Sequence, residues 1–224
     1  MVRNAEMNGE LNGGLTLRLE GIRPLPVEEL NDLCDRAEDR RESGPVTVRV
    51  TGVPADGWSK DLTVGLVSKW ERAVRRFERL GRLTVAAGSG DCAGPALDVL
   101  LAADVRIVAP GTRLLLSLVG GGTWPGMTVY RLTRQAGTAG IRRAVLLGAP
   151  IEAHRALALN LVDEVSEDPA ATLAGLAEAA GALDGTEMAI RRQLMFEAGS
   201  TTFEDALGAH LAAADRALRW EAVS

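Results

Sequence analysis

Histidine, cysteine, lysine and aromatic residues are all scarce in this 224-residue chain. It holds two histidines (His154, His210), two cysteines (Cys34, Cys92), two lysines (Lys60, Lys69) and 4% aromatics. Two cysteines exclude a disulfide scaffold, and so few thiols and imidazoles leave little from which to build a zinc cage, so no metal site is expected. Charge of one sign is lacking too: 25 basic and 30 acidic side chains leave a net charge of −5. Wrapping nucleic acid demands a basic face, so that class of partner is excluded. Long apolar runs are missing. The most apolar stretch, Leu83 to Ala109, is broken by Asp91, Asp98, Asp104 and Arg106, which suits a buried core segment and not a membrane span. The opening residues 1–10 lack the apolar run of a signal peptide, so a cytoplasmic protein is expected.

What remains is a chain with 46% apolar residues, enough to build a sizeable core. Residues 1–14 are polar and Asn/Gly-rich and read as a loose end. Leu15 to Leu19 alternates with period two, as do Val46 to Val50, and both read as strands. Helical spacing of apolar residues predicts helices over 27–42 and 62–80, the second with Leu66, Trp70, Val74 and Phe77 along one stripe. A strand over 83–87, a tight loop from Gly88 to Gly94 and a short helix from Pro95 to Ala102 follow. Further strands are expected over 105–108, 114–116 and 161–165, helices over 127–147, and a helical tail from Pro169 to Trp220. Strands alternating with helices indicate an α/β domain. The boundaries expected are a loose segment 1–14, a core over 15–165 and a helical C-terminal subdomain over 166–224.

The most informative segment is the turn from Gly88 into the helix at Pro95. Proline suits the first helical position, because its missing N–H would have no intrahelical partner there. The amide of Gly94 just before it points outward from a helix N-terminus, where unpaired donors and the helix dipole together favour negative oxygen. Such a donor stabilises a developing oxyanion; a plain strand–helix turn that uses glycine for its φ/ψ freedom is the alternative. Asp98 lies one turn into that helix. It is either an acid/base group with a raised pKa or a first-turn carboxylate offsetting the dipole.

Other motifs carry weaker chemistry. Gly90-Asp91-Cys92-Ala93-Gly94 has the form of a cysteine nucleophile elbow, with Asp163 and His210 in suitable order for a thioester hydrolase. Against it, His210 falls on the apolar stripe Phe203, Leu207, Leu211, Ala214 and Leu218, where a packed histidine is expected, and His154 reads as a surface residue. Arg72, Arg75, Arg76 and Arg79 form one helical stripe, diluted by Glu71 and Glu78, and read as a solvated face or a subunit contact. The loop Gly120 to Gly126 lacks the Lys-Ser/Thr of a phosphate-binding loop.

Three blocks, in order, resemble the crotonase (enoyl-CoA hydratase/isomerase) family. They are the segment from Gly88 through Ala103-Asp104-Val105-Arg106-Ile107-Val108, then Pro125-Gly126-Met127 with Arg131-Leu132 and Gly137, then Leu146 through Val165. In the last block Asn160 stands where the family has a glycine, and Asn tolerates the left-handed conformation required there. The resemblance implies a ββα spiral core with a C-terminal helical subdomain, a homo-trimer or hexamer, and no cofactor beyond the coenzyme A carried by an acyl-CoA thioester substrate. It places Gly94 at one oxyanion-hole amide and Asp98 where hydratases have their first catalytic glutamate. Leu118 falls near the second catalytic glutamate, so that carboxylate is expected to be absent. The other oxyanion amide falls at Trp58 or Ser59, and Ser59, Trp124 and Gly126 are expected against the substrate.

Within the family, Val67 to Arg72 and Thr123 to Met127 most resemble the DpgB-type proteins of 3,5-dihydroxyphenylglycine biosynthesis in glycopeptide-antibiotic producers. That resemblance implies dehydration and aromatisation of a CoA-bound polyketide to 3,5-dihydroxyphenylacetyl-CoA. The partners it implies are a type III polyketide synthase and a sister crotonase. A non-catalytic partner of the synthase and a Cys92 hydrolase are the alternatives.

Overall fold

A computed structural model describes residues 15–21, 25–39, 44–180 and 185–221. The expected loose end, 1–14, lies outside them. The chain divides into two compact units, 1–182 and 183–224. The first unit runs past the expected boundary at residue 165 and takes in one further helix.

In the first unit, strand β1 (Leu15–Glu20) leads to helix α1 (Val27–Glu38), strand β2 (Val46–Gly52), helix α2 (Val64–Glu78), strand β3 (Thr84–Cys92), helix α3 (Pro95–Ala102) and strand β4 (Val105–Val108). Short strands β5 (Arg113–Leu114), β6 (Leu118–Val119) and β7 (Gly122–Thr123) precede the long helix α4 (Met127–Leu147). Strand β8 (Ile151–Glu152), helix α5 (Ala153–Ala158), strand β9 (Glu164–Val165) and helix α6 (Pro169–Ala180) complete it. The second unit holds α7 (Gly185–Ala198) and α8 (Phe203–Glu221).

The main sheet runs β1-β2-β3-β4-β9 with every pair parallel, while β5 pairs parallel with the end of β3 and antiparallel with β8. A parallel sheet needs helical crossovers and coverage of its strands, and β2 accordingly buries Val46, Val48 and Val50. Helix α2 begins where Thr63, in extended conformation, accepts a hydrogen bond on its hydroxyl from the Leu66 amide at 3.1 Å. Of its expected stripe, Trp70, Val74 and Phe77 are fully buried and Leu66 is half-buried. Helix α3 is buried along its whole length, Asp98 included.

The stretch Gly88–Gly94 is not the expected loop. The strand continues to Cys92 through an irregularity in which β2 advances from Val50 to Gly52 while β3 advances from Gly88 to Cys92. Gly90 takes a φ of 62°, and the Thr51 hydroxyl donates to the Ser89 carbonyl at 2.7 Å. The extra residues bulge out and let the strand pick up β5 as a new neighbour. Asn160 adopts the left-handed conformation expected of it, with φ 57°. Helix α4 is interrupted at Gly137 (φ 69°) and ends on a left-handed Gly148. In α8, Phe203, Leu211 and Leu218 are exposed, and so is His210, which is not the packed histidine the stripe suggested. No helix among the described residues is long and apolar enough to cross a membrane.

Candidate active site

Helices α2, α3 and α4 meet over one carboxylate. Asp98, 6% exposed, accepts a hydrogen bond on Oδ2 from Trp70 Nε1 of α2 at 2.8 Å, and one on Oδ1 from the Thr128 hydroxyl of α4. Arg131 of α4 places Nη1 3.8 Å from Asp98 Oδ1 and donates through Nη2 to Glu71 Oε2 of α2 at 2.9 Å. Two carboxylates therefore share one buried guanidinium. Burial pushes the Asp98 pKa up, against the opposing pull of Thr128, Arg131 and Trp70. Glu71 is also raised, first by burial and then by the Asp98 charge, with Arg131 opposing.

Asp98 and Glu71 line a small cleft together with Gly94, Ser117, Trp58 and Trp124 and a set of leucines. The lining, mostly apolar with a few placed polar groups, has the composition of an organic-ligand site. Gly94 is the N-cap of α3, with φ 53° and ψ −128°. A β-carbon there would sit 2.6 Å from Pro54 Cγ, so only glycine fits this approach. The rings of Trp58 and Trp124 meet edge to face, with centroids 5.4 Å apart. Gly126 makes room for that pair: a β-carbon on it would fall 2.4 Å from Trp124 Nε1.

The comparisons with known proteins bear on this arrangement. The profile of the enoyl-CoA hydratase/isomerase family matches residues 65–218. An enoyl-CoA-hydratase of Amycolatopsis orientalis is 78% identical over 217 residues, covering 96% of this chain and all of that protein. The chain belongs to the enoyl-CoA hydratase/isomerase family. Among solved structures, an enoyl-CoA hydratase from Shewanella pealeana superposes with a TM-score of 0.81 at 16% identity, covering 93% of this chain and 86% of that one. A Thermobifida fusca protein solved in complex with acetoacetyl-CoA gives 0.79 at 14% identity, covering 94% and 93%. The crotonase-like α/β fold expected from the sequence is the fold found.

In this hydratase/isomerase-family chain the residues singled out by sequence are partly brought together. Asp98, Gly94, Trp58 and Trp124 share the cleft, whereas Ser59 and Gly126 stand outside its lining. Trp58 requires a correction as an oxyanion donor. Its amide already donates to the Ala55 carbonyl at 3.0 Å inside a turn, so it contributes its ring and not its N–H. Leu118 lies in the β6–β7 hairpin, 64% exposed and away from the cleft lining.

The cysteine-elbow reading is overturned. Cys92 is fully buried at the end of β3, its thiol faces the Val50 and Ser89 carbonyls at 3.7 Å, and burial pushes its pKa up to about 12. Asp163, its supposed partner, instead binds the Arg106 backbone and side chain at 2.8 and 3.1 Å. The arginine stripe on α2 is partly a helix–helix tie, since Arg76 bonds Asp35 and Glu38 of α1.

Sequence reasoning missed Trp70, Glu71, Ser117 and Thr128 as site residues. By spacing alone Trp70 is a core residue and Glu71 a charge diluting the arginines. Their meeting with Asp98 depends on the crossing of α2 and α4 over α3, of which no local pattern gives a sign.

Proposed function

We propose that the protein catalyses proton transfer on an acyl-CoA thioester, in the dehydratase/isomerase direction, with Asp98 as the acid/base group. The observation that carries this is Asp98 on the cleft wall, one helical turn from the Gly94 N-cap, with both carboxylate oxygens held by donors from flanking helices. The Asp98 carboxylate, made more basic by burial, takes the α-proton as the Cα–H bond breaks. The electron pair moves to the thioester oxygen, where the Gly94 amide and the N-terminal end of α3 stabilise the enolate. In a dehydration the β-hydroxyl then departs with its bonding pair, and Asp98 returns the proton to it, giving water and the enoyl thioester. One carboxylate serves both steps.

The finer reading is that the acyl group is a polyketide, dehydrated and aromatised to 3,5-dihydroxyphenylacetyl-CoA beside a type III synthase. The two indoles of Trp58 and Trp124 on the cleft support an aromatic, ring-forming acyl group, as does the likeness of Val67 to Arg72 and Thr123 to Met127 to DpgB-type proteins. A second reading is a non-catalytic partner of the synthase, favoured by the near-complete burial of Asp98, whose two carboxylate oxygens are both taken by protein donors.

The test is product analysis of a malonyl-CoA-fed type III synthase with the wild-type protein and Asp98→Asn. Loss of the aromatic product by about 10²- to 10⁴-fold supports acid/base catalysis. Undiminished product with Asp98→Asn sinks it in favour of the partner reading. A product indifferent to the presence of either protein sinks both.

A further inference from the structure

The hydroxyl of Ser117 is a polar group of the cleft that the proton-transfer reading leaves unused. Ser117 is 7% exposed, its Oγ is buried, and that oxygen forms no hydrogen bond among the described residues. It lines the same cleft as Gly94 and Asp98. The position of a β-carbon built on Gly94 lies 3.4 Å from Ser117 Oγ, so the hydroxyl and the N-terminal turn of α3 border one small space. The backbone around Ser117 is held independently, since its carbonyl accepts from the Trp124 amide at 2.7 Å. The hydroxyl is therefore free to turn toward a ligand.

A buried hydroxyl that has given up water and has no partner among the described residues is a standing cost to the fold, and such groups call for an explanation. The cleft supplies one. A negative oxygen seated at the N-terminus of α3 is best held by two donors, and the Trp58 amide is spent on Ala55. Ser117 presents an O–H, free to rotate as donor or acceptor, on the Gly94 side of the same cleft.

We propose that Ser117 Oγ is a substrate-binding donor that hydrogen-bonds the thioester carbonyl oxygen beside the Gly94 amide. The bond strengthens as that oxygen takes on enolate charge, because hydrogen bonds to charged acceptors are shorter and stronger. No covalent bond at Ser117 forms or breaks, and its proton stays on Oγ. The inference rests on the reading of the cleft as an acyl-thioester site.

Calorimetric titration with acetoacetyl-CoA and with free CoA as probes, on the wild type, Ser117→Ala and Ser117→Cys, separates the two claims. Ser117→Ala is expected to weaken acetoacetyl-CoA binding about tenfold, or ~1.4 kcal/mol, while leaving CoA affinity unchanged. The ultraviolet enolate band of the bound ligand falls with it. The Tm of Ser117→Ala stays level or rises, because the variant removes an unsatisfied hydroxyl; a group that served only the fold would not give this pairing of lost affinity and retained stability. Ser117→Cys, near-equal in size with a weaker donor, falls between the two. Wild-type affinity for acetoacetyl-CoA in Ser117→Ala or in Ser117→Cys overturns the role of Ser117 and leaves the thioester reading standing. Wild-type protein that binds acetoacetyl-CoA no more tightly than CoA overturns the thioester reading and this inference with it.

Discussion

Trp70 Nε1 donates to Asp98 Oδ2 at 2.8 Å, tying a fully buried indole on α2 to the carboxylate of α3 that faces the cleft. The bond favours the charged form of Asp98 against the burial that opposes it. Replacing Trp70 by Phe keeps most of the packing and removes the donor. The Asp98 pKa then rises further, so the acid limb of the rate–pH profile moves to higher pH. The fold loses about 1–3 kcal/mol from the unsatisfied oxygen, measured by denaturant unfolding.

Asp98 also sets a pH dependence of stability with a definite sign. Its pKa in the folded protein lies above the ordinary aspartate value of 3.8, and that of Glu71 lies above 4.5. Between those values and the raised ones the native state holds protons that the unfolded chain has released, so stability falls as pH rises through that window. Urea midpoints across the acid range show the fall in the wild type. Asp98→Asn, which keeps an acceptor for Trp70, flattens the part due to Asp98.

Arg131 is shared between two buried or half-buried carboxylates, and its removal leaves both without their cation. Arg131→Met is expected to destabilise the protein by about 3 kcal/mol, since breaking a buried pair strands the opposite charge. Adding Glu71→Met to it recovers much of the loss, because one stranded charge is then gone. Equal unfolding midpoints for the single and double variants contradict this.

Both thiols are expected to be silent. Burial pushes Cys34 and Cys92 up to about 12, which leaves roughly one thiolate in 10⁵ at neutral pH. A chromogenic disulfide reagent therefore titrates neither cysteine in the native protein and both after denaturation. Rapid labelling of native Cys92 would restore the thiol as a reactive group.

Gly126 supports the Trp58–Trp124 contact by leaving room for the second indole. Its φ of −78° suits any residue, so Gly126→Ala acts through space and not through backbone strain. The variant displaces the Trp124 ring, alters tryptophan fluorescence and weakens acyl-CoA affinity, with the fold retained by circular dichroism.

Much of the architecture was legible because it is periodic. Alternation in Val46 to Val50 and the 3.6-residue stripe of Trp70, Val74 and Phe77 mark elements from local chemistry alone, and Pro95 marks a helix start by its missing donor. The continuation of β3 through Gly88–Cys92 was not legible, since glycine-rich sequence reads as loop until β2 and β5 are there to pair with it. The site was legible at Gly94 and Asp98, which lie four residues apart on one turn of helix. It was illegible at Glu71, Ser117 and Thr128, whose roles arise from elements far apart in the chain.

By itself, then, the sequence determined the family, the α/β class, the absence of a thiol–imidazole inventory for metal chemistry, and the glycine–aspartate pair at the start of α3. These depend on local residue types and their spacing. The tertiary structure alone decided that Cys92 is buried with its pKa pushed up, that the Trp58 amide is already spent, and that Asp98 is held by Trp70 and Thr128 across from the Glu71–Arg131 pair. Burial, hydrogen-bond occupancy and charge pairing are properties of what lies across the fold from a residue.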